Sequence, residues 1–375
     1  MSFVIPTQEF SYLINQVQNV IPPKATVPFL SNFLLEVSEG LLKLTATDLM
    51  VSICCETDVK MLREGALALP AKRLSQLVRE LTAPTLQVNL LDNYMTEIQA
   101  GTSKFKIYGM AGNEFPKLPD ISEATSFTIS QAALKSLFYR VGFAIARDPN
   151  RYVLTGVLLR ISNGQMSLLG TDGKRLARMY APIDLNPSFT GSYIIPLKAV
   201  DEFLSHLSEE GQVTMYLMPD KIAIKTEGLK IVTKLLAGEY PDVSRVIPES
   251  SEYVVTLHRE ELMTLLRQVA LFTADNNHSV KFSFKEGELS LSANTSEVGE
   301  GKVNMPVNYR GEKLDIAFNP GYFLDILRHS KEETMVLGLN DAFNPGVLTE
   351  KEGALKESLA ASPLFVIMPM RLSEE

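Results

Sequence analysis

The sequence predicts an α+β protein made of three copies of one unit, each with two helices and an antiparallel sheet. Three observations carry this reading. The stretch Leu42-Lys-Leu-Thr-Ala-Thr-Asp-Leu49 is echoed by Leu168-Leu-Gly-Thr-Asp-Gly-Lys-Arg-Leu-Ala177, and superposing Thr47 on Thr171 gives a shift of 171 − 47 = 124. Stretches of helical apolar spacing begin near 8, 131 and 258. Pro70, Pro196 and Pro320 recur at intervals of 126 and 124. Solenoid repeats are only about 20–50 residues long, so this longer period points to larger units set along an arc or part of a ring. The expected boundaries are 1–125, 126–250 and 251–375.

Each unit opens with a helix. Thr7 is the expected N-cap of the first, at 8–20, where Phe10, Leu13, Ile14 and Val17 share one face. The second runs over 130–143 with Ser130 as cap, and the third over 258–272. Paired strands follow at 30–37 and 42–48, 154–161 and 166–171, and 280–284 and 288–292. Their turns, Glu39-Gly40, Ser162-Asn-Gly164 and Glu286-Gly287, mark hairpins. A second helix, at 69–77, 195–203 and 319–327, is opened each time by proline, which suits the first turn because its missing N–H has no partner there. Closing strands are expected at 105–108, 114–120, 235–248 and 364–372.

Composition narrows the function. With 45% hydrophobic and 21% charged residues the chain reads as globular rather than disordered. No apolar run approaches the ~20 residues of a membrane helix. The start, Met1-Ser-Phe-Val-Ile-Pro-Thr-Gln-Glu9, lacks a basic segment and apolar core, so a cytoplasmic protein without membrane contact is expected. Cys54 and Cys55 are adjacent; in a strand they face opposite ways, which favours packing in a reducing compartment over a disulfide. With His206, His258, His278 and His329 they form no metal-ligand spacing, and no cofactor is expected.

Catalytic motifs are missing too. Gly170-Thr-Asp-Gly-Lys174 is too short for a P-loop, and Arg175 stands where a hydroxyl is needed. Gly299-Glu-Gly-Lys302 reads as a turn. A binding or scaffolding protein remains. The net charge of −8 argues against nucleic acid, but distribution matters more than the sum. The helices and their ends carry Lys72, Arg73, Arg79, Lys135, Arg140, Arg147, Lys198, Arg267, Arg328 and Lys331, mixed with Glu80, Asp201, Glu202, Glu260, Glu261 and Asp325. They are read either as a solvated helix face or as a surface that follows phosphates without reading bases.

Val27-Pro-Phe-Leu-Ser-Asn-Phe-Leu-Leu35, Leu44-Thr-Ala-Thr-Asp48, Phe115-Pro-Lys-Leu118, Arg151-Tyr-Val-Leu-Thr-Gly156, Thr171-Asp-Gly-Lys-Arg-Leu-Ala177, Tyr240-Pro-Asp-Val-Ser-Arg-Val-Ile-Pro248 and Met368-Pro-Met-Arg-Leu372 occur in this order. With them the whole chain resembles the bacterial DNA polymerase III beta subunit, the replicative sliding clamp. The resemblance implies the DNA-clamp fold and a ring-forming head-to-tail homodimer that encircles duplex DNA. It also implies a non-catalytic processivity role, tethering the DNA polymerase III catalytic subunit. A peptide pocket would serve that polymerase, the clamp loader, and repair and translesion polymerases.

Carried over by position, the pocket comprises Leu154, Thr171, Gly173, Lys174, Arg175, Leu176, Pro241, Arg245, Val246, Phe343, Pro345, Val366, Met368, Pro369, Met370 and Arg371. The DNA contacts are Lys24, Lys72, Arg79, Arg151 and Tyr152, with Arg147 and Lys198. The dimer joint sets Arg73, Leu77, Phe105 and Ile107 against Leu271 and Phe272. Val153, Ser244, Phe343 and Pro345 depart from the family's pattern, which bears on DNA contact and on the pocket's edge. Two other readings are an enzyme with an unrecognised interdomain site near Lys174 and Arg175, and a monomeric peptide-binding adaptor. The absence of paired catalytic groups argues against the first, and apolar residues at 105, 107, 271 and 272 against the second.

Overall fold

The computed structural model describes residues 1–25, 27–274, 278–296, 298–350 and 362–371. The first repeat runs β1 (Ser2–Pro6), α1 (Thr7–Val17), β2 (Asn32–Ser38), β3 (Leu41–Thr47), β4 (Val51–Asp58), β5 (Lys60–Arg63), β6 (Gly65–Pro70), α2 (Ala71–Glu80), β7 (Thr85–Leu90), β8 (Met95–Ala100), β9 (Ser103–Tyr108) and β10 (Met110–Ala111). The second runs β11 (Thr125–Ser130), α3 (Gln131–Gly142), β12 (Gly156–Ser162), β13 (Gln165–Thr171), β14 (Arg175–Pro182), β15 (Gly191–Pro196), α4 (Leu197–His206), β16 (Gln212–Leu217), β17 (Lys221–Thr226) and β18 (Leu229–Lys234). The third runs β19 (Tyr253–His258), α5 (Arg259–Ala270), β20 (Val280–Lys285), β21 (Glu288–Thr295), β22 (Gly299–Pro306), β23 (Leu314–Phe318), α6 (Pro320–Arg328), β24 (Thr334–Leu339), β25 (Gly346–Thr349) and β26 (Leu364–Ile367).

The same order thus recurs: strand, helix, a first half-sheet, helix, then a second half-sheet completed by the opening strand. The 3.6-residue spacing that suggested the helices is their buried stripe. α1 buries Phe10, Leu13, Ile14 and Val17, α3 buries Leu134, Leu137, Phe138 and Val141, and α5 buries Leu262, Met263, Leu266 and Val269.

By compactness the chain forms two units, Met1–Ala133 with Asp201–Leu235, and Leu134–Val200 with Leu236–Glu375. The first unit contains a five-stranded sheet, β5-β1-β7-β8-β9, and a nine-stranded sheet, β10-β6-β2-β3-β4-β18-β17-β16-β11. The second contains an eight-stranded sheet, β15-β12-β13-β14-β26-β25-β24-β19, and a four-stranded one, β22-β21-β20-β23. Two units arise from three repeats because the sheets ignore repeat boundaries. The first half-sheet of one repeat continues into the second half-sheet of the next, through β4·β18 with Ile53 opposite Ile231, and through β14·β26 with Ala177 opposite Phe365. β9 and β22 occupy the corresponding positions, and each ends its sheet among the described residues.

Several local expectations need correction. Thr7 is the first helical residue rather than the cap; Pro6 precedes it, and the Thr7 hydroxyl donates to the Ala83 carbonyl at 2.6 Å. Ser130 accepts from Ala133 N only at 3.5 Å. Pro70 and Pro196 end β6 and β15 and stand just before their helices, whereas Pro320 is the first residue of α6. The stretches 114–120 and 235–248 are not strands, apart from 3₁₀ turns at Gly112–Glu114 and Ser244–Val246. Pro116, Pro119, Pro241 and Pro248 deprive them of ladder donors. Of 364–372, β26 covers Leu364–Ile367 and residue 372 lies outside the described residues. Cys54 and Cys55 are buried, unbridged residues of β4, and burial pushes the Cys55 thiol up to about 12, leaving it inert.

Candidate docking pocket, nucleic-acid face and joint

The turn between β13 and β14 is built by its own side chains. The Thr171 hydroxyl donates to the Arg175 carbonyl at 2.6 Å and accepts from Gly173 N at 3.0 Å. Asp172 Oδ1 accepts from Lys174 N and Arg175 N at 2.9 and 3.0 Å. The echo in the first repeat is faithful to the hydrogen bond. Thr47 donates to the Val51 carbonyl at 3.1 Å and accepts from Leu49 N at 3.0 Å, while Asp48 Oδ1 accepts from Met50 N and Val51 N at 2.9 and 2.7 Å. Even the next bond is kept: Lys234 N donates to Met50 O and Met368 N to Lys174 O, both at 2.9 Å. The third position of the turn is left-handed in both, at φ +82° for Gly173 and +74° for Leu49. That geometry costs a side-chain-bearing residue about 1 kcal/mol, and glycine nothing.

Arg175 was expected to line the pocket, and its guanidinium is committed to the fold. Nε reaches Asp172 Oδ2 at 3.1 Å, Nη1 reaches Asp325 Oδ2 at 2.6 Å, and Nη2 reaches the Phe143 carbonyl at 3.0 Å. The plane lies over the rings of Phe143 and Tyr322, 5.3 and 4.6 Å from their centroids. Nearby, buried Arg140 pairs with Glu350 and donates through Nε to the His329 carbonyl at 3.1 Å. The His329 ring is held between Tyr139 and Phe143, with centroids 4.5 and 4.3 Å away. Burial and the neighbouring Arg175 and Arg328 depress its pKa below the ordinary histidine value, against the pull of Asp325. These contacts bind second-repeat elements to third-repeat elements within the second unit, so the pocket stands on a rigid base.

Above that base lies a buried apolar cluster of Leu158, Leu169, Leu176, Ile194, Tyr240, Ile247 and Val366, among others, with Leu154 packed against it. A cavity of about 530 Å³ opens nearby and gathers Arg245, Val246, Phe343, Pro345 and Met368 with Pro248, Glu249, Ser250, Asn340 and Asn344. Three apolar side chains stand open on its otherwise polar rim: Phe343 is 85% exposed, Val246 42% and Met368 37%. An Asx turn presents the phenyl ring, with Asp341 Oδ1 accepting from Phe343 N and Asn344 N at 2.7 Å. Lys174, Pro241 and Arg371 are exposed, Pro369 and Met370 half-buried, and Thr171 buried. Tyr240 and Ile247 beneath the pocket, and Asn340 at its rim, were not singled out from the sequence as lining. The heptad-free spacing of this segment gave no signal for them, although Tyr240 and Ile247 lie inside a stretch that carried the resemblance.

Of the expected DNA contacts, Lys24, Lys72 and Arg79 lie in the first unit and are exposed. α2 and residues 18–33 border a cavity of about 760 Å³ lined by Lys72, Arg73, Gln76, Arg79, Pro22 and Pro23, which brings Lys72 and Arg79 together with Arg73 but does not include Lys24. In the second unit Arg147, Arg151, Tyr152 and Lys198 are exposed. Lys135 and Arg140 do not belong to this exposed set, because Arg140 is buried and Lys135 half-buried. Of the joint residues, Arg73 and Phe105 are exposed, Leu77 and Phe272 half-buried, and Leu271 is 74% exposed. Ile107 is buried within its own unit, and the large side chains that β9 leaves exposed are Phe105 and, on the opposite face, Tyr108. No group of histidine, cysteine and acidic residues among the described residues could hold a metal.

Models of the DNA polymerase III beta subunit match end to end: its N-terminal domain at residues 1–119, its central domain at 128–242 and its C-terminal domain at 244–371. The chain belongs to the DNA polymerase III beta subunit family. It is 49% identical to the beta sliding clamp of Chlamydia pneumoniae, over 100% of both chains. It is 28% identical to the solved DNA polymerase III beta subunit of Pseudomonas aeruginosa, with a TM-score of 0.93 over 99% of this chain and 100% of that one. The sliding clamp of Bacillus subtilis, 24% identical, shares the fold with a TM-score of 0.94 over 100% of both chains. The three-repeat architecture is therefore that of a sliding clamp. Among the described residues no helix is long and apolar enough to cross a membrane.

Proposed function

We propose that this chain acts as a DNA sliding clamp in the cytoplasm: two copies join head to tail into a ring that encircles duplex DNA and tethers the replicative polymerase. The observation that carries the ring is the pair of unmatched strands. Twice within the chain a third strand of one half-sheet pairs with the last strand of another, and β22 and β9 are the remaining members of the series. The hairpin registers Leu41↔Asp58, Gln165↔Pro182 and Glu288↔Pro306 align Ile53, Ala177 and Gly301. Ala100↔Ser103 and Thr226↔Leu229 likewise align Phe105 with Ile231. In a second copy, then, Phe105 faces Gly301, as Phe365 faces Ala177, and Lys106 faces Glu300. A Cβ on Gly301 would lie 2.4 Å from the Phe272 ring, so glycine here lets Phe272 cross the strand and meet the incoming Phe105. The contact uses two different patches and closes when two arcs complete a circle.

Exposed Lys24, Lys72, Arg79, Arg147, Arg151, Tyr152 and Lys198 supply weak, base-independent phosphate contacts, which permit sliding. The open apolar side chains of Val246, Phe343 and Met368 suit short peptides with hydrophobic anchors. The polymerase, the clamp loader, and repair and translesion polymerases are its proposed partners. A clamp needs no catalytic group, since processivity follows from topology. The test is to load the protein on nicked circular DNA and then linearise it. The ring is expected to run off the ends; protein retained on linear DNA would overturn topological binding.

A further inference from the structure

We infer that Arg151 couples the nucleic-acid face to the docking pocket, so that a phosphate held by this side chain weakens peptide binding. The inference rests on both readings proposed above. Residues 146–154 form a loop closed by Ala146 N donating to the Leu154 carbonyl at 2.9 Å. Asp148 braces it, its Oδ1 accepting from Asn150 N at 2.9 Å and its carbonyl from Arg151 N at 3.0 Å. Exposed Arg147, Arg151 and Tyr152 lie on the loop, while Leu154 at its end packs on the cluster beneath the pocket. The two proposed sites therefore share one short segment.

Arg151 is the link. Its Nη1 donates to the main-chain carbonyl of Asp172, in the turn that presents Lys174 and Arg175. Lys174 in turn accepts from Met368 N at 2.9 Å, so the contact continues to the pocket rim. The first repeat supplies an internal control. Its turn has the same internal bonds, but position 27, which corresponds to Arg151 by the shift of 151 − 27 = 124, is valine. Where that turn carries Leu49, this one has Gly173, and a Cβ there would lie 3.0 Å from Arg151 Nη1. Glycine at 173 thus serves the left-handed backbone and also leaves room for the guanidinium.

Arg151 is exposed and can be approached by a phosphate. A phosphate adds ion pairing and can take the guanidinium bidentately, which a single neutral carbonyl cannot match. A phosphate that takes Nη1 leaves the Asp172 carbonyl without this brace and loosens the edge on which Lys174 and Met368 meet. By linkage the peptide must weaken phosphate binding by the same factor.

The experiment titrates the full-length protein with a fluorescein-labelled peptide carrying leucine and phenylalanine anchors, by anisotropy, with and without saturating short duplex DNA at fixed low salt. The duplex is expected to weaken the wild-type peptide affinity about 5-fold, the lower end of usual coupling. Arg151→Ala should bind peptide more weakly from the start and be indifferent to duplex. Arg147→Ala should need more duplex to saturate yet keep the shift. An Arg151→Ala protein that retains the 5-fold effect, or a wild type that binds both ligands independently, overturns the coupling. A wild type that binds no peptide, or no duplex, overturns the pocket or the nucleic-acid reading respectively, and the coupling with it.

Discussion

Two rings, Tyr139 and Phe143, enclose His329, and the acid response of the second unit follows from that enclosure. The folded-state pKa is depressed, so in the window below the ordinary value of about 6.5 the unfolded chain binds the extra proton. The contribution of His329 is fully present above that value and is lost as pH falls through it toward the folded pKa. Between pH 7.5 and 5.5 the wild-type melting temperature is expected to fall further than that of His329→Gln; equal falls would refute the assignment. At this scale the sequence showed residue types but not commitments. Arg175 was expected in the pocket, and its partner Asp325 lies 150 positions away; Ile107 was expected at the joint, and its burial depends on its sheet rather than its sequence neighbours.

At the scale of elements, α6 has the clearest start signal. The Asn319 side chain accepts from Gly321 N at 2.9 Å and Tyr322 N at 3.4 Å, and Pro320 takes the first helical position. Asn319→Ala should cost about 1 kcal/mol, read as a lower midpoint in urea denaturation; an unchanged midpoint would show that the cap contributes nothing. Helices were legible because one period of 3.6 residues specifies them locally. The hairpin strands were legible from their Gly turns. The opening strands β1, β11 and β19 were missed, since their pairing partners β7, β16 and β24 lie more than 70 positions on. The joint is also decided at this scale. Leu271→Ala with Phe272→Ala should give monomers in sedimentation, because Phe272 is the side chain lying across Gly301 at the β22 edge. A persistent dimer would exclude this edge.

For the whole molecule, the repeat could be read from the 124-residue shift because each copy keeps its Thr-Asp turn, its proline and its helix stripe. The sheets could not be read that way. β4 and β18 are separated by most of two repeats, and no local pattern marks an apolar strand as the one that crosses a boundary. The candidate site lay in between: its residues were proposed by position, while the Arg140–Glu350 and Arg175–Asp325 pairs beside it depend on tertiary contacts. Only Arg140–Glu350 of the two is buried on both sides, and breaking a buried pair typically costs about 3–5 kcal/mol.

The continuity of the sheets also decides where this chain can be cut. A fragment taken at the repeat boundaries, 126–250, would carry β12–β15 severed from β26 and β16–β18 severed from β4, leaving two raw strand edges of the sort that aggregate. The covalent repeat is thus not a portable module. Anyone dividing the protein for expression would do better to keep each complete sheet intact, accepting discontinuous segments, than to follow the internal symmetry of the sequence.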